Sequence, residues 1–286
     1  MWRVSCERTT CWPRTSTSKF EAVHAHHPTS LDETVAAVAE GATPIAGGTD
    51  LMVEINYGKT RPTEFVGLRR VEELTRWEGS RIGSGVTWRR IERDGPRALA
   101  QAAATVGSPQ IRNAGTIGGN LATASPAGDG HPFLVAIDAE IEVVSPRGRR
   151  VIPWREFFTG VKKTALDEDE VISAVVLPEV LPERQEFGKV GVRNAMVIAT
   201  VCVVVTRGDD HTTTVGLGSV APTPVRAPRA EAMISSIPNP SPSDLREFSR
   251  LVGEEIAPIT DHRSTETYRR HAAGVLARRL LERCLR

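Results

Sequence analysis

Asn113-Ala-Gly-Thr-Ile-Gly-Gly-Asn-Leu-Ala-Thr-Ala-Ser-Pro-Ala-Gly-Asp129 is the stretch around which the rest of the chain reads. It carries four glycines, Gly115, Gly118, Gly119 and Gly128, and neither lysine nor glutamate. Glycine tolerates positive φ and brings no Cβ, so such a backbone can approach a ligand closely and turn consecutive N–H groups toward one anion. A second stretch, Pro44-Ile-Ala-Gly-Gly-Thr-Asp-Leu51, has the same character more than sixty residues earlier. Singly, each reads equally well as a tight turn. Together they predict two loops closing on one elongated, phosphate-bearing molecule. Neither is a Walker loop, since no Gly-Lys-Ser/Thr follows, and neither has the G-x-G-x-x-G spacing of a dinucleotide turn.

On the N-terminal side, Ser30-Leu-Asp-Glu33 has the capping-box pattern ahead of Leu31, Val35 and Val38, and Gly41 should end that helix. Pro44-Ile-Ala reads as a short buried strand feeding the Gly47-Gly48 turn, with Asp50 capping a helix over 51–57. Strands over 65–68 and 80–86 and an alanine-rich helix over 96–106 carry the chain to the main stretch. Beyond it come a helix over 131–139, a hairpin of 140–144 with 149–152, and a strand over 170–177 stopped by Pro178. The polar segment 181–186 marks a domain boundary. After it the spacing predicts strands over 196–206 and 212–220 and helices over 227–235, 242–255 and 265–283. In the last helix Tyr268, Ala272, Val275, Leu276 and Leu280 share one face, with arginines opposite as a solvated or partner-facing surface.

The composition excludes several classes. Lys+Arg is 36 and Asp+Glu 35 over 286 residues, a net charge of +1, which gives no electrostatic case for nucleic acid or an anionic membrane. No apolar run approaches the ~20 residues of a membrane span. The first residues lack the apolar run of ~7–15 residues of a secretory signal. Cys6, Cys11, Cys202 and Cys284 show neither C-x2-C pairs nor ferredoxin-like spacing, as expected of reduced thiols in a cytoplasmic protein, with Cys202 a small core residue. Residues 1–19 read as a disordered arm or an over-extended translation start. His24, His26 and His27 fit no metal-ligand template and read as a solvated lead-in, so no metal site is expected. Ser125, Asp129 and His131 form no nucleophile elbow, and no catalytic acid, base or nucleophile is expected.

P-I-A-G-G-T-D-L (44–51) and T-I-G-G-N-L-A-T-A-S-P-A-G-D (116–129) resemble the two FAD-binding loops of the flavoprotein subunit of molybdenum hydroxylases. These are the medium chains of the xanthine dehydrogenase and carbon monoxide dehydrogenase group. The resemblance continues through F-F-T-G-V-K-K-T (157–164), G-K-V-G-V-R (188–193), G-S-V-A-P-T-P-V-R-A (218–227) and Y-R-R-H-A-A-G-V-L (268–276), and so covers roughly residues 20–286. It implies an α+β fold. A two-lobed FAD-binding domain of the vanillyl-alcohol-oxidase (PCMH) type would span 20–180, with lobes of about 20–75 and 76–180. A smaller α+β domain of antiparallel sheet and helices would span 185–286.

The resemblance also implies roles. Ile45, Ala46, Gly47, Gly48, Thr49, Asp50 and Leu51 would wrap the FAD pyrophosphate, chiefly through the N–H groups of 46–49. Thr116, Ile117, Gly118, Gly119 and Asn120 would form the opposite cradle, with Ile117 against the flavin ring. Val106 falls where the family lines the adenine pocket, Asp129 would accept from ribose or ring N–H groups, and Ile172 and Lys189 would neighbour the ring. Plain core packing is the alternative for Val106 and Ile172. Thr49 stands where some relatives have histidine, so the FAD would be non-covalent.

The implied chain is an oxidoreductase subunit for electron transfer. It would take electrons from the [2Fe–2S] clusters of a small subunit and pass them to NAD⁺ or another acceptor. A molybdopterin-binding large subunit would oxidise a purine or other N-heterocycle, ahead of carbon monoxide, within a dimer of heterotrimers. Two alternatives stay open: a free-standing FAD-dependent oxidoreductase on the same fold, and a scaffold subunit without flavin.

Overall fold

In the computed structural model, which describes residues 22–193 and 196–286, the capping pattern at Ser30 opens the first helix. Ser30 stands in extended backbone (φ −122°, ψ 160°), its Oγ accepts from the Glu33 N–H, and helix Leu31–Ala39 follows. The Glu33 carboxylate takes the Thr29 N–H instead of the Ser30 N–H that a full capping box would use. Gly41, at φ +98°, ends the element in the left-handed conformation that glycine adopts without strain. Leu31, Val35 and Val38 are buried with Val66 of a small parallel sheet ordered His24–His26, Glu64–Gly67, Thr43–Ile45. The expected N-terminal arm, with Cys6 and Cys11, lies outside the described residues.

The second unit is a five-stranded sheet in the order Trp77–Glu78, Arg81–Gly83, Val171–Val176, Glu140–Ser145, Gly148–Pro153, antiparallel throughout. Its second strand stops at Gly83, short of the expected residue 86. A Cβ on Gly83 would lie 2.3 Å from the Leu74 carbonyl oxygen, so only a bare backbone passes there. Helices Arg97–Thr105 and His131–Ala136 close the core, which holds Ile82, Leu99, Phe133 and Ile141. The stretch expected as a glycine loop is largely helical: Pro109–Ala114, then Ile117–Thr123 capped by Thr116.

The third unit is an antiparallel sheet ordered Arg184–Val190, Val201–Arg207, Thr213–Gly218, Val225–Arg226, covered by helices Pro228–Ser235, Pro242–Glu254 and Glu266–Cys284. Its first strand begins inside the segment expected as a polar linker. The reason is local: the Glu186 carboxylate receives Arg97 at 2.9 Å and Gln101 at 3.0 Å, and Phe187 donates its N–H to Gln101 at 2.7 Å. These polar residues face a helix of the preceding unit. The strand expected from residue 196 begins only at Val201. Val201, Val203 and Val205 enter the core under the helices, while Cys202 and Val204 enter the core of the second unit. A strand buried on both faces reads as a continuous β-branched run with no polar alternation.

The last helix turns differently from its sequence reading. Ala272, Ala273, Ala277, Leu280, Leu281 and Cys284 form the buried stripe, and Tyr268 is about half exposed. Arg269, expected among the solvated arginines, is 4% exposed. Its guanidinium donates to the carbonyls of Thr200 and Ser219 at 2.7 and 2.8 Å and to Asp261 at 2.7 Å. Among the described residues no helix is long and apolar enough to cross a membrane.

Candidate functional site: a glycine-lined cleft

The two glycine stretches meet. A Cβ on Gly47 would lie 1.9 Å from the Ala114 carbonyl oxygen, so the first stretch rides directly on the segment leading into the second. Gly48 turns the chain at φ +68°. Together they border a cleft of about 1090 Å³, at the upper end of ordinary small-molecule sites. All of residues 45–51 line it, as do Val106, Thr116, Gly119, Asn120 and Asp129.

The two stretches offer different chemistry. Among the described residues, none accepts a hydrogen bond from the backbone N–H of Ala46, Gly47, Gly48 or Thr49. Four consecutive donors facing a cleft are a ready anion cradle, because an unpaired N–H away from bulk water is costly. In the second stretch the donors of residues 117–120 are already used, and within 116–120 only the Thr116 N–H lacks an acceptor among the described residues. Ile117 donates to Val86 O at 3.0 Å, Gly118 to Ser84 O at 2.8 Å and Asn120 to Thr116 O at 3.1 Å. Gly119 donates to the Thr116 Oγ1 at 3.0 Å. The expected opposite cradle thus offers mainly shape, with the Thr116 N–H as its one donor left without an acceptor among the described residues. Gly118 and Gly119 are helical, without positive φ. Each is small for its own reason: a Cβ on Gly118 would lie 2.5 Å from the Ser84 Cβ, whereas one on Gly119 would meet only the Thr116 Oγ1, at 3.2 Å, and project into the cleft.

Four expected site residues stand behind the lining. Ile117 is 1% exposed and packs into the core, as does Ile172, so the expected contact of the Ile117 side chain with a flavin ring does not follow from its placement. Gly118 lies beneath the wall. Lys189 reaches the cleft through Asp129, its Nζ donating to Oδ2 at 2.6 Å and to the Thr105 carbonyl at 3.3 Å. Asp50 occupies the N-cap position of helix Leu51–Asn56, but its side chain makes no cap bond.

Asp129 is the most telling polar group. It is 8% exposed, and its Oδ1 is buried without a hydrogen-bond partner. Burial raises its pKa, against the pull of the Lys189 ammonium. His131, just behind, is fully buried. Burial brings its imidazole down to about 4, and its Nε2 lies 3.2 Å from the Asn120 carbonyl. A Cβ on Gly128 would sit 2.4 Å from that ring, which identifies His131 as a neutral brace under the 125–129 turn. Among the described residues, no group of three or more His, Cys, Asp or Glu side chains could hold a metal ion.

Sequence reasoning missed one wall. Arg193, Val197, Ile198, His262 and Arg263, all from the third unit, also border the cleft. Asp261 fixes that wall: it takes the N–H groups of Arg263 and Ser264 at 2.9 and 3.1 Å and the buried Arg269 at 2.7 Å, contacts that hold its carboxyl well below the ordinary range against burial. The signal available was the G-K-V-G-V-R motif, in which only Lys189 had been given a role.

Residues 18–180 match the model of the FAD-binding domain in molybdopterin dehydrogenase, and residues 188–284 match that of the CO dehydrogenase flavoprotein C-terminal domain. The chain belongs to this family. It is 30% identical to the carbon monoxide dehydrogenase medium chain of Afipia carboxidovorans over 90% of its own length and 95% of that protein's. It is 29% identical to the xanthine dehydrogenase FAD-binding subunit of Escherichia coli O157:H7, covering 92% and 96% of the two chains. Reconstituted CO dehydrogenase from Oligotropha carboxidovorans superposes with a TM-score of 0.84 at 29% identity, over 92% and 98%.

The residues present fit the family's FAD. The cradle of 46–49 suits a pyrophosphate, the open face of Gly119 admits a flat group, and the Oδ1 of Asp129 receives no donor from the described residues.

Proposed function

We propose that this chain is the FAD-carrying electron-transfer subunit of a molybdenum-containing hydroxylase. Bound FAD would take up electrons and release them to NAD⁺ or another acceptor. The chain's own work is to bind, orient and shield. Residues 46–49 would hold the pyrophosphate through their N–H groups, Gly119 and Asn120 would shape one wall, and Asp129, braced by Lys189, would receive a ribose or ring donor. The observation that supports this reading is a run of N–H donors without acceptors at residues 46–49, lining the same cleft as Asp129, whose Oδ1 has no protein partner.

The substrate would be oxidised elsewhere, by a molybdopterin-binding large subunit, with a [2Fe–2S] small subunit relaying electrons in a dimer of heterotrimers. The names of the relatives span xanthine and carbon monoxide dehydrogenases. A purine or other N-heterocycle is the substrate class we favour. Purified alone, the chain should hold flavin and show no hydroxylase turnover. Combining it with its molybdenum and iron–sulfur partners should restore electron flow from substrate to NAD⁺ or a dye. Turnover of an organic substrate by the chain alone would favour a free-standing flavoenzyme.

A further inference from the structure

Helix Leu51–Asn56 buries none of its residues. It runs outward from the glycine cradle, with Leu51 and Glu54 on the rim of the cleft. Six residues are too few for a helix that stands by propensity alone. Val53 and Tyr57, one helical turn apart, are 49% and 78% exposed, and Met52 beside them is 43% exposed. A second exposed apolar residue set adjoins it. The hairpin of Phe158–Gly160 with Lys163–Thr164 presents Val161, 57% exposed, and its Lys162 is paired with Glu54 at 2.8 Å. The two segments that carry this apolar surface also carry the exposed cations Lys59, Arg61, Lys162 and Lys163. The carboxylates of the same segments are Asp50, Glu54 and Glu64; Lys162 occupies Glu54 and His26 pairs with Glu64. Lys59, Arg61 and Lys163 then outnumber the remaining Asp50, an excess of cations in a chain whose net charge is only +1.

We infer that this face is the docking surface for the electron-donating chain, an acidic protein with an apolar contact patch, seated on Val53, Tyr57 and Val161. The inference rests on the electron-transfer reading above. Three features point to that occupant. A chain carrying electrons to the cleft must sit at its rim, and Tyr57 lies only about 9 Å along the helix from the rim residue Leu51. An aromatic and two aliphatic exposed side chains on segments that also carry charge have the composition of an interface centre with a polar rim. The excess of cations selects an acidic partner and speeds its encounter.

The test uses the assembled complex and two variants outside the cleft lining. Val53→Glu/Tyr57→Glu should keep its full flavin content and its reduction by a chemical reductant. By sedimentation its affinity for the iron–sulfur partner should fall about ten-fold or more, and substrate-driven flavin reduction should slow in proportion at sub-saturating partner. Lys59→Glu/Arg61→Glu should weaken association more at low salt than at high salt. Unchanged association in the first variant would overturn the inference. So would a homodimer of the wild-type chain that the first variant breaks while partner binding survives. Failure of the electron-transfer reading would look different: a wild-type chain without flavin, or no electron flow on reconstitution.

Discussion

At the residue scale, adjacent glycines do separate jobs. Gly118→Ala should destabilise the fold, because its Cβ would press on Ser84. A cost of about 1–3 kcal/mol is expected, read as a lower denaturation midpoint. Gly119→Val should leave the chain folded and expel FAD, because its side chain projects into the cleft. Normal flavin occupancy in that variant would remove this helix from the site. Asp129→Ala should weaken FAD binding by roughly 1–3 kcal/mol, about ten- to a hundred-fold. Lys189→Met serves as its control for loss of the ion pair alone.

His131 sets a pH dependence. Its folded pKa is depressed to about 4, while the unfolded chain protonates it near ~6.5. Between these values the unfolded state binds more protons, so stability is full above the upper value and falls as pH drops toward the lower one. The loss should approach roughly 3 kcal/mol. His131→Gln should flatten that slope in denaturant titrations at pH 4.5 to 7, and an unaltered slope would assign it to other groups.

At the element scale, the sequence was most legible where composition maps directly onto backbone geometry. Residues 45–51 read as an anion-binding turn because two glycines between a strand and a helix leave few other uses, and among the described residues the N–H groups of 46–49 have no acceptor. The second stretch has the same composition, yet the Thr116 cap and Ser84 and Val86 take the N–H groups of 117–120. Composition cannot tell a free donor from one taken by the carbonyl of a segment distant in the chain. The inward turn of Ile117 follows from the same cap, and the buried Arg269 from carbonyls that tertiary structure brings to it. Helix His131–Ala136 shows how closely such elements meet: a Cβ on Gly216 would lie 1.8 Å from the Pro132 carbonyl oxygen. Gly216→Ala should therefore push the third unit off the second. It should lower the melting temperature by several degrees, consistent with about 1–3 kcal/mol of overpacking. A wild-type melting temperature would mean that this contact yields freely.

At the scale of the whole molecule, the order of elements was readable, but not how the parts share their cores. Phe187, Ala199, Cys202 and Val204 come from the third unit and pack in the core of the second. Lys189 crosses the same junction to Asp129. The cleft is thus bordered by both units, and calorimetry should show one cooperative transition, raised by added FAD. Two separated transitions, only one of them responding to FAD, would place the site in a single unit. The central claim is that this cleft holds FAD without a covalent bond. Its most direct test is acid precipitation of the purified chain with flavin counted in both fractions. About one FAD per chain in the supernatant over a colourless pellet is the predicted result; flavin retained in the pellet, or a chain that binds none when FAD is supplied, would contradict it.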